Sequence, residues 1–235
     1  MVTLSQFVDK NKIQNYNKLN EVIGFEEYLN RCYANPKLIR NSHQRIYDMI
    51  VSQGTSEVEK YRKKVLVYNF FEKHEQIKVF GIEEQLESLV AHYKGAAGGY
   101  GPEKRILLLC GPVGSAKSTI CRLIKRSMED YSETDAGAWY TYRWVNLPTG
   151  GDGIYTSDTC ECPMNEEPLK LLPLDVRKQI IDELNTIHKD QADPSQRTTL
   201  YSLDVRGEIN PKCKFFYDKL LEKYNGDWTQ VISNH

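Results

Sequence analysis

Gly111-Pro-Val-Gly-Ser-Ala-Lys-Ser118 carries the residue types that hold a phosphate chain, at nearly the required spacing. A phosphate loop runs Gly, four variable residues, Gly, Lys, then Ser or Thr. Gly111, Lys117 and Ser118 meet that pattern, and Ala116 stands where the second glycine is usual. The chemistry is electrostatic. A helix N-terminus leaves backbone N–H groups unpaired and carries partial positive charge, so it attracts an anion. Gly111 and Gly114 let the backbone curl until several N–H groups point at one phosphate. Lys117 is expected to add a point charge at the β- and γ-phosphates of ATP, and the Ser118 hydroxyl to be a ligand of Mg²⁺. Pro112, Val113, Ser115, Ala116 and Thr119 complete the expected nucleotide-contact set. The methyl group of Ala116 carries a cost if its position needs positive φ or close approach to phosphate.

Such a loop has to sit between a strand and a helix. Arg105-Ile-Leu-Leu-Leu-Cys110 is a short, nearly continuous apolar run, which predicts a buried parallel strand. Ile120, Leu123, Ile124 and Met128 recur at helical spacing, so a helix is expected from near Lys117. Upstream, Ile82, Leu86, Leu89, Val90 and Tyr93 share a helical face, with Glu83 and Glu84 in the first turn. Gly95 to Pro102 then reads as a flexible connection. Trp139 to Val145 suggests a second strand, and Pro148 to Gly153 a surface loop that breaks it. Further helical stripes are Leu174, Ile180, Ile181, Leu184 and Ile187, then Phe215, Phe216, Leu220 and Leu221. Residues 1–75 read as a polar helical segment, with stripes at Tyr28, Leu29, Cys32 and Tyr33 and at Ile46, Met49 and Ile50. Val65 to Phe71 suits either a buried helix or a strand, and Lys60 to Lys64 reads as a solvated helix face. The expected architecture is α/β, a parallel sheet flanked by helices over residues 76–235, preceded by that helical segment.

Composition narrows the function classes. At 235 residues, 40% hydrophobic and 27% charged, the chain has room for one full domain with an appendage. A formal net charge of −1 leaves no electrostatic footprint for nucleic acid or an acidic membrane. No apolar run approaches the roughly 20 residues of a membrane span. The N-terminus has neither the basic start nor the apolar core of a signal peptide, so a cytoplasmic location with reduced cysteines is expected.

Four segments together resemble the PrkA-type serine protein kinases, in their N-terminal AAA-type ATP-binding region. They are Phe80-Gly-Ile-Glu-Glu-Gln-Leu86, Lys104 to Thr119 across the phosphate loop, Cys162-Pro-Met-Asn-Glu-Glu-Pro-Leu169 and Gly226-Asp-Trp228. The third is the most specific, and the similarity spans nearly the whole chain. The resemblance implies an AAA fold that binds ATP and Mg²⁺, linked to phosphorylation of serine in a protein substrate. It places adenine near Val79 to Ile82 and implies a homo-oligomer for the intact protein. Family members run well beyond the point corresponding to His235, carrying the rest of the AAA core and a kinase-like region, so a truncated or split member is expected. Ala116 departs from the family's glycine.

Some parts of the chemistry have no candidate residue. An ATPase of this class needs an apolar strand ending in Asp-Glu. Ile180-Ile-Asp-Glu183 lies in a stripe of helical period and reads instead as an acidic helix face. Arg143, Arg177, Arg197 and Arg206 are unassigned as an arginine finger, and the conventional kinase signatures His-Arg-Asp and Asp-Phe-Gly are absent. Two other readings stand beside the kinase: a non-catalytic interaction module with weak or no nucleotide binding, and an ATP-dependent protease in the intact protein. Cys160, Cys162 and Cys213, with a fourth ligand such as His188, are candidates for zinc, but lack the paired Cys-x₂-Cys spacing and read as unligated thiols.

Overall fold

Helices dominate residues 18–60, 63–72, 77–147, 158–193 and 200–233, which the computed structural model of the chain describes. Apolar stripes place the longer helices, and side-chain caps fix the starts of some of them. Helix α1 (Phe25–Ala34) buries Tyr28 and Cys32, four residues apart on one face. Helix α2 (Ser42–Ser52) starts at a capping box: Asn41 Oδ1 accepts from Gln44 N at 3.0 Å, and Gln44 Oε1 accepts from Asn41 N at 3.1 Å. Strands β1 (Thr55–Lys60) and β2 (Lys63–Tyr68) pair antiparallel, from Thr55 opposite Tyr68 to Lys60 opposite Lys63, and a single helical turn α3 (Asn69–Glu72) follows. Helix α4 (Glu83–Ala97) buries Leu86, Leu89 and Val90, and α5 (Lys117–Ser132) buries Ile120 and Leu123. Strands β3 (Arg143–Trp144) and β4 (Cys160–Glu161) make a second antiparallel pair. Helix α6 (Leu174–Gln191) buries Arg177, Ile181, Leu184 and His188 along one stripe. Helix α7 (Pro211–Lys223) is capped by Asn210, whose Oδ1 accepts from Cys213 N at 3.1 Å, and short α8 (Trp228–Ile232) is capped by Asp227.

Among the described residues, most of the buried apolar side chains fall into two clusters. One joins Met49, Ile50, Phe70, Phe71, Val79, Leu86, Leu89, Val90, Ile120 and Leu123, and lies beneath α5. The other gathers α1, β3, β4, α6, α7 and α8 around Trp144, Leu169, Leu184, Leu203 and Leu220. Buried polar side chains fasten the segments between them. Gln44 Nε2 donates to Ala97 O at 3.2 Å and Ser202 O at 2.9 Å, so one amide ties α2 to the end of α4 and to a segment of the other cluster. Arg45 donates to the carbonyls of Leu38, Arg40, Gly137 and Ala138.

Four expectations change here. The run 105–110 joins no ladder, and both sheets among the described residues are antiparallel pairs. Ile106 is 94% exposed and Leu108 77% exposed, while Leu109 packs on the cluster beneath α5. A strand exists only where a neighbour is paired with it, and among the described residues no strand is hydrogen-bonded to 105–110. The segment 1–75, expected to be helical, contains the β1–β2 hairpin, so Lys60 and Lys64 lie on strands and not on a helix face. The second expected strand shrinks to Arg143–Trp144. The flexible link from Gly95 begins as helix, because α4 continues to Ala97. Pro148 to Gly153 and Arg197 lie outside the described residues.

Candidate functional site

The residues from Gly111 to Thr119 form a curled loop running directly into α5. Gly114 has φ 83° and Ala116 has φ 58° and ψ 9°, both left-handed, and α5 begins at Lys117. Gly111 is needed for space as well as for conformation: a Cβ there would lie 2.8 Å from Ser115 Oγ. The backbone closes with Ser115 N donating to Pro112 O at 3.4 Å and Ile120 N to Ala116 O at 2.8 Å.

Lys117 is folded into this curl. Its Nζ donates to Gly111 O at 2.7 Å, Pro112 O at 2.6 Å and Ser115 Oγ at 2.9 Å, and Ser115 Oγ donates to Pro112 O at 2.8 Å. An ammonium held by carbonyl oxygens at a helix N-terminus is a cation placed where an anion is attracted. Ser118 is exposed on the first turn of α5, Thr119 is half-buried, and Pro112 and Val113 form the solvent-facing crest. Val79 shares a core with Ile120 and Leu123, which sets the segment 79–82 in the cluster that carries α5.

Ala116 answers the question its side chain raises. The position is left-handed, so a residue with a Cβ adopts there a conformation costing about 1–2 kcal/mol. Its methyl packs in part on the cluster beneath α5.

The other parts are not brought to the loop. Asp182 and Glu183 lie on α6, with Glu183 accepting from Tyr33 OH at 2.5 Å, as the acidic-helix reading expects. Arg177 is buried and donates to Gly207 O at 2.8 Å, Arg206 pairs with Asp204 in solvent, and Arg143 is exposed on β3.

A second constellation lies in the Cys162-Pro-Met-Asn-Glu-Glu-Pro-Leu169 segment. Cys162 and Cys213 come together, but Cys160 and His188 do not join them; the third member is Glu166. Sequence reasoning passed over Glu166, although it stands four residues after Cys162 in the most specific segment. Its carboxylate accepts from Asn210 N at 2.9 Å, Asn210 Nδ2 at 2.7 Å and Lys170 Nζ at 3.1 Å. Burial raises its pKa, but these donors more than offset that and hold it below the usual range. Neighbouring Glu167 behaves oppositely: burial pushes it up to about 7, although Tyr28 OH and Leu169 N donate to it. His188 is pushed down to about 4, by burial and then by Lys37, and its Nε2 has no hydrogen-bond partner among the described residues.

Comparison with known proteins agrees on one lineage. The PrkA AAA domain family model matches residues 23–232. An ATP-dependent protease PrkA of Bacillus subtilis (strain 168) is 33% identical over 203 residues, covering 86% of this chain and 25% of that protein. A serine/threonine kinase YeaG of Escherichia coli (strain K12) is 28% identical over 118 residues, 47% of this chain and 18% of that protein. A shorter, uncharacterized protein in the gldA 5' region of Geobacillus stearothermophilus is 30% identical over 86 residues and matched over 80% of its length. The chain thus spans a quarter or less of the first two relatives. No solved structure matches it.

Proposed function

The chain belongs to the PrkA AAA domain family, and on that premise we propose that it binds ATP·Mg²⁺ at Gly111–Thr119 as the nucleotide region of a serine protein kinase. The observation that carries this reading is the Lys117 ammonium gathered by Gly111 O, Pro112 O and Ser115 Oγ at the start of α5. The loop N–H groups and Lys117 would hold the phosphates, and the Ser118 hydroxyl would ligate Mg²⁺. ATP supplies the transferable phosphoryl group. The segment Val79–Ile82 would lie against adenine.

Exposure of Ile106 and Leu108 supports the finer fold reading, in which 105–110 is one strand of a parallel sheet shared with sequence of the kind the relatives carry outside the matched part. The boundary near residue 75 then separates roles and not cores, since Met49 and Phe70 pack with Leu86 and Ile120 across it. The intact protein is proposed to be a cytoplasmic homo-oligomer acting on a protein substrate. Among the described residues, no helix is long and apolar enough to cross a membrane.

A second reading, ATP-dependent proteolysis by the longer protein, is favoured by the name of the Bacillus subtilis relative. Calorimetric titration with ATP, with and without Mg²⁺, tests the shared part of both. Binding should require Mg²⁺ and fall at least 100-fold in Lys117→Ala, on the order of 3 kcal/mol for a desolvated charge pair. Unchanged affinity in that variant would remove the site assignment. Phosphoserine formation against nucleotide-dependent peptide cleavage by the longer protein then separates kinase from protease.

A further inference from the structure

We propose that Cys162, Glu166 and Cys213 form a binding site for a divalent cation of the zinc class. Their ligand atoms all lie within 4.8 Å of one another, and Cys162 Sγ is 3.8 Å from Glu166 Oε2. Tetrahedral zinc with S at about 2.3 Å and O at about 2.0 Å implies edges of about 3.8 Å between sulfurs and about 3.5 Å between sulfur and oxygen. The group is therefore within small side-chain adjustments of that geometry. Two sulfurs select a borderline-soft ion over Mg²⁺ or Ca²⁺.

Two N–H donors converge on Cys162 Sγ. Asn165 is left-handed, with φ 47°, and its N–H donates to Cys162 O at 3.1 Å, which closes a turn after Cys162. That turn aims Glu166 N at Cys162 Sγ, 3.4 Å away, and Asn210 Nδ2 reaches the same sulfur at 3.5 Å. Cys213 lies in the first turn of α7, where the positive end of the helix favours a thiolate. Burial keeps the Cys213 thiol above its usual range despite hydrogen bonds with Tyr142, Trp144 and Asn210, and Cys162 adds to the rise, so the cation itself would have to stabilise the thiolate.

Charge also closes. Two thiolates and a carboxylate around a divalent ion leave one negative charge, and Lys170, 3.1 Å from Glu166 Oε1, supplies the balancing positive charge. Asn210 N and Nδ2 on Glu166 Oε2 are outer hydrogen bonds of the kind that orient a metal-bound carboxylate. The cation would compete with the two longer contacts to that oxygen, from Tyr142 OH at 3.2 Å and Cys162 Sγ at 3.8 Å. On binding, each thiol would give its proton to solvent. Three protein ligands leave a fourth position for water. The site would cross-link the turn after β4 to the start of α7, and so clamp the cluster around Trp144.

The test is Co²⁺ titration of the full chain, reduced and kept anaerobic. The expected result is one equivalent bound, with thiolate-to-cobalt bands in the near ultraviolet and tetrahedral visible bands, both removed by Zn²⁺. Cys162→Ser and Cys213→Ser should each lose the site, Glu166→Gln should weaken it at least tenfold, and Cys160→Ser should leave it intact. Far-ultraviolet circular dichroism identifies any variant that fails to fold, and the unmutated chain decides alone in that case. Reduced, folded chain that shows no thiolate-to-cobalt band overturns the proposal. So does a band that survives Cys213→Ser or vanishes in Cys160→Ser. A Cys162–Cys213 disulfide as isolated, whose reduced form refuses cobalt, overturns it as well.

Discussion

Replacing Ala116 probes the Gly111–Thr119 loop, the proposed phosphate site, through its one strained side chain. Ala116 holds φ 58° at the residue that caps α5. An L-residue with a Cβ costs about 1–2 kcal/mol there, a cost that Ala116→Gly removes. Two terms oppose the gain. Glycine gives the unfolded chain more freedom, about 0.4–1 kcal/mol. The lost methyl is only partly buried, so it forfeits about 0.4 kcal/mol, half the value of a fully buried CH₂. The net expectation is a stabilisation of about 0.4 kcal/mol, from the midpoints of these ranges. Ala116→Val moves the other way, because a β-branched side chain is a conformational outlier at positive φ; it should lose about 1–2 kcal/mol. The Gly-to-Val contrast, about 2 kcal/mol, is well above the error of urea-unfolding midpoints compared at a common slope. ATP affinity should follow the same order, glycine at least as tight as alanine and valine weaker. A valine variant as stable as the parent, or a glycine variant less stable by more than about 1 kcal/mol, would refute the left-handed assignment at Ala116.

Gln44→Leu should cost about 2–3 kcal/mol, because the carbonyls of Ala97 and Ser202 lose a buried donor; a loss below about 0.5 kcal/mol in urea unfolding would show that the amide is not the tie between them. Stability against pH should be shaped by two opposing groups. Glu167, raised to about 7, binds its proton more tightly in the folded chain, so stability falls as pH rises from about 4.5 to 7. His188, lowered to about 4, binds its proton more tightly in the unfolded chain, so stability rises from about pH 4 to 6.5. Their slopes offset each other in the parent; Glu167→Gln should expose the rising limb and His188→Phe the falling one, each of order 1–3 kcal/mol. Parallel pH profiles for the parent and both variants would contradict these assignments.

Legibility followed the range of the interaction. The stripes Ile82 to Tyr93 and Leu174 to Ile187 are helices because a 3.6-residue period is local, and α5 begins where the loop pattern ends, at Lys117. The acidic pair Asp182–Glu183 reads correctly as helical for the same reason. The strands were harder. Ile106 to Cys110 has the composition of a buried strand, yet burial depends on a neighbour that composition does not name. The hairpin at 55–68 was hidden among lysines and glutamates, whose alternation on exposed strands resembles a solvated helix face. The Cys162 and Cys213 thiols are legible as candidates, but their sequence partner Cys160 does not join them, and the third member is Glu166, a carboxylate four residues after Cys162. The left-handed backbone of Ala116 was legible only as a condition, because φ follows from how the loop closes.

The loop from Gly111 to Thr119 is anchored unequally. Its Lys117 end is bolted into the protein by Ile120 and Leu123, whereas its Gly111 end continues from a run that engages the core through Leu109. The backbone of 106–110 is therefore a handle on the loop. Whatever grips that handle, a sheet neighbour or another polypeptide, also sets the curvature at Gly111 and hence the spacing of the carbonyls around Lys117. Mechanical coupling of this kind runs both ways. If the loop holds phosphate as proposed, occupancy there would stiffen the run 106–110, and a partner on that run would in turn tune the loop, because coupling between two sites is reciprocal.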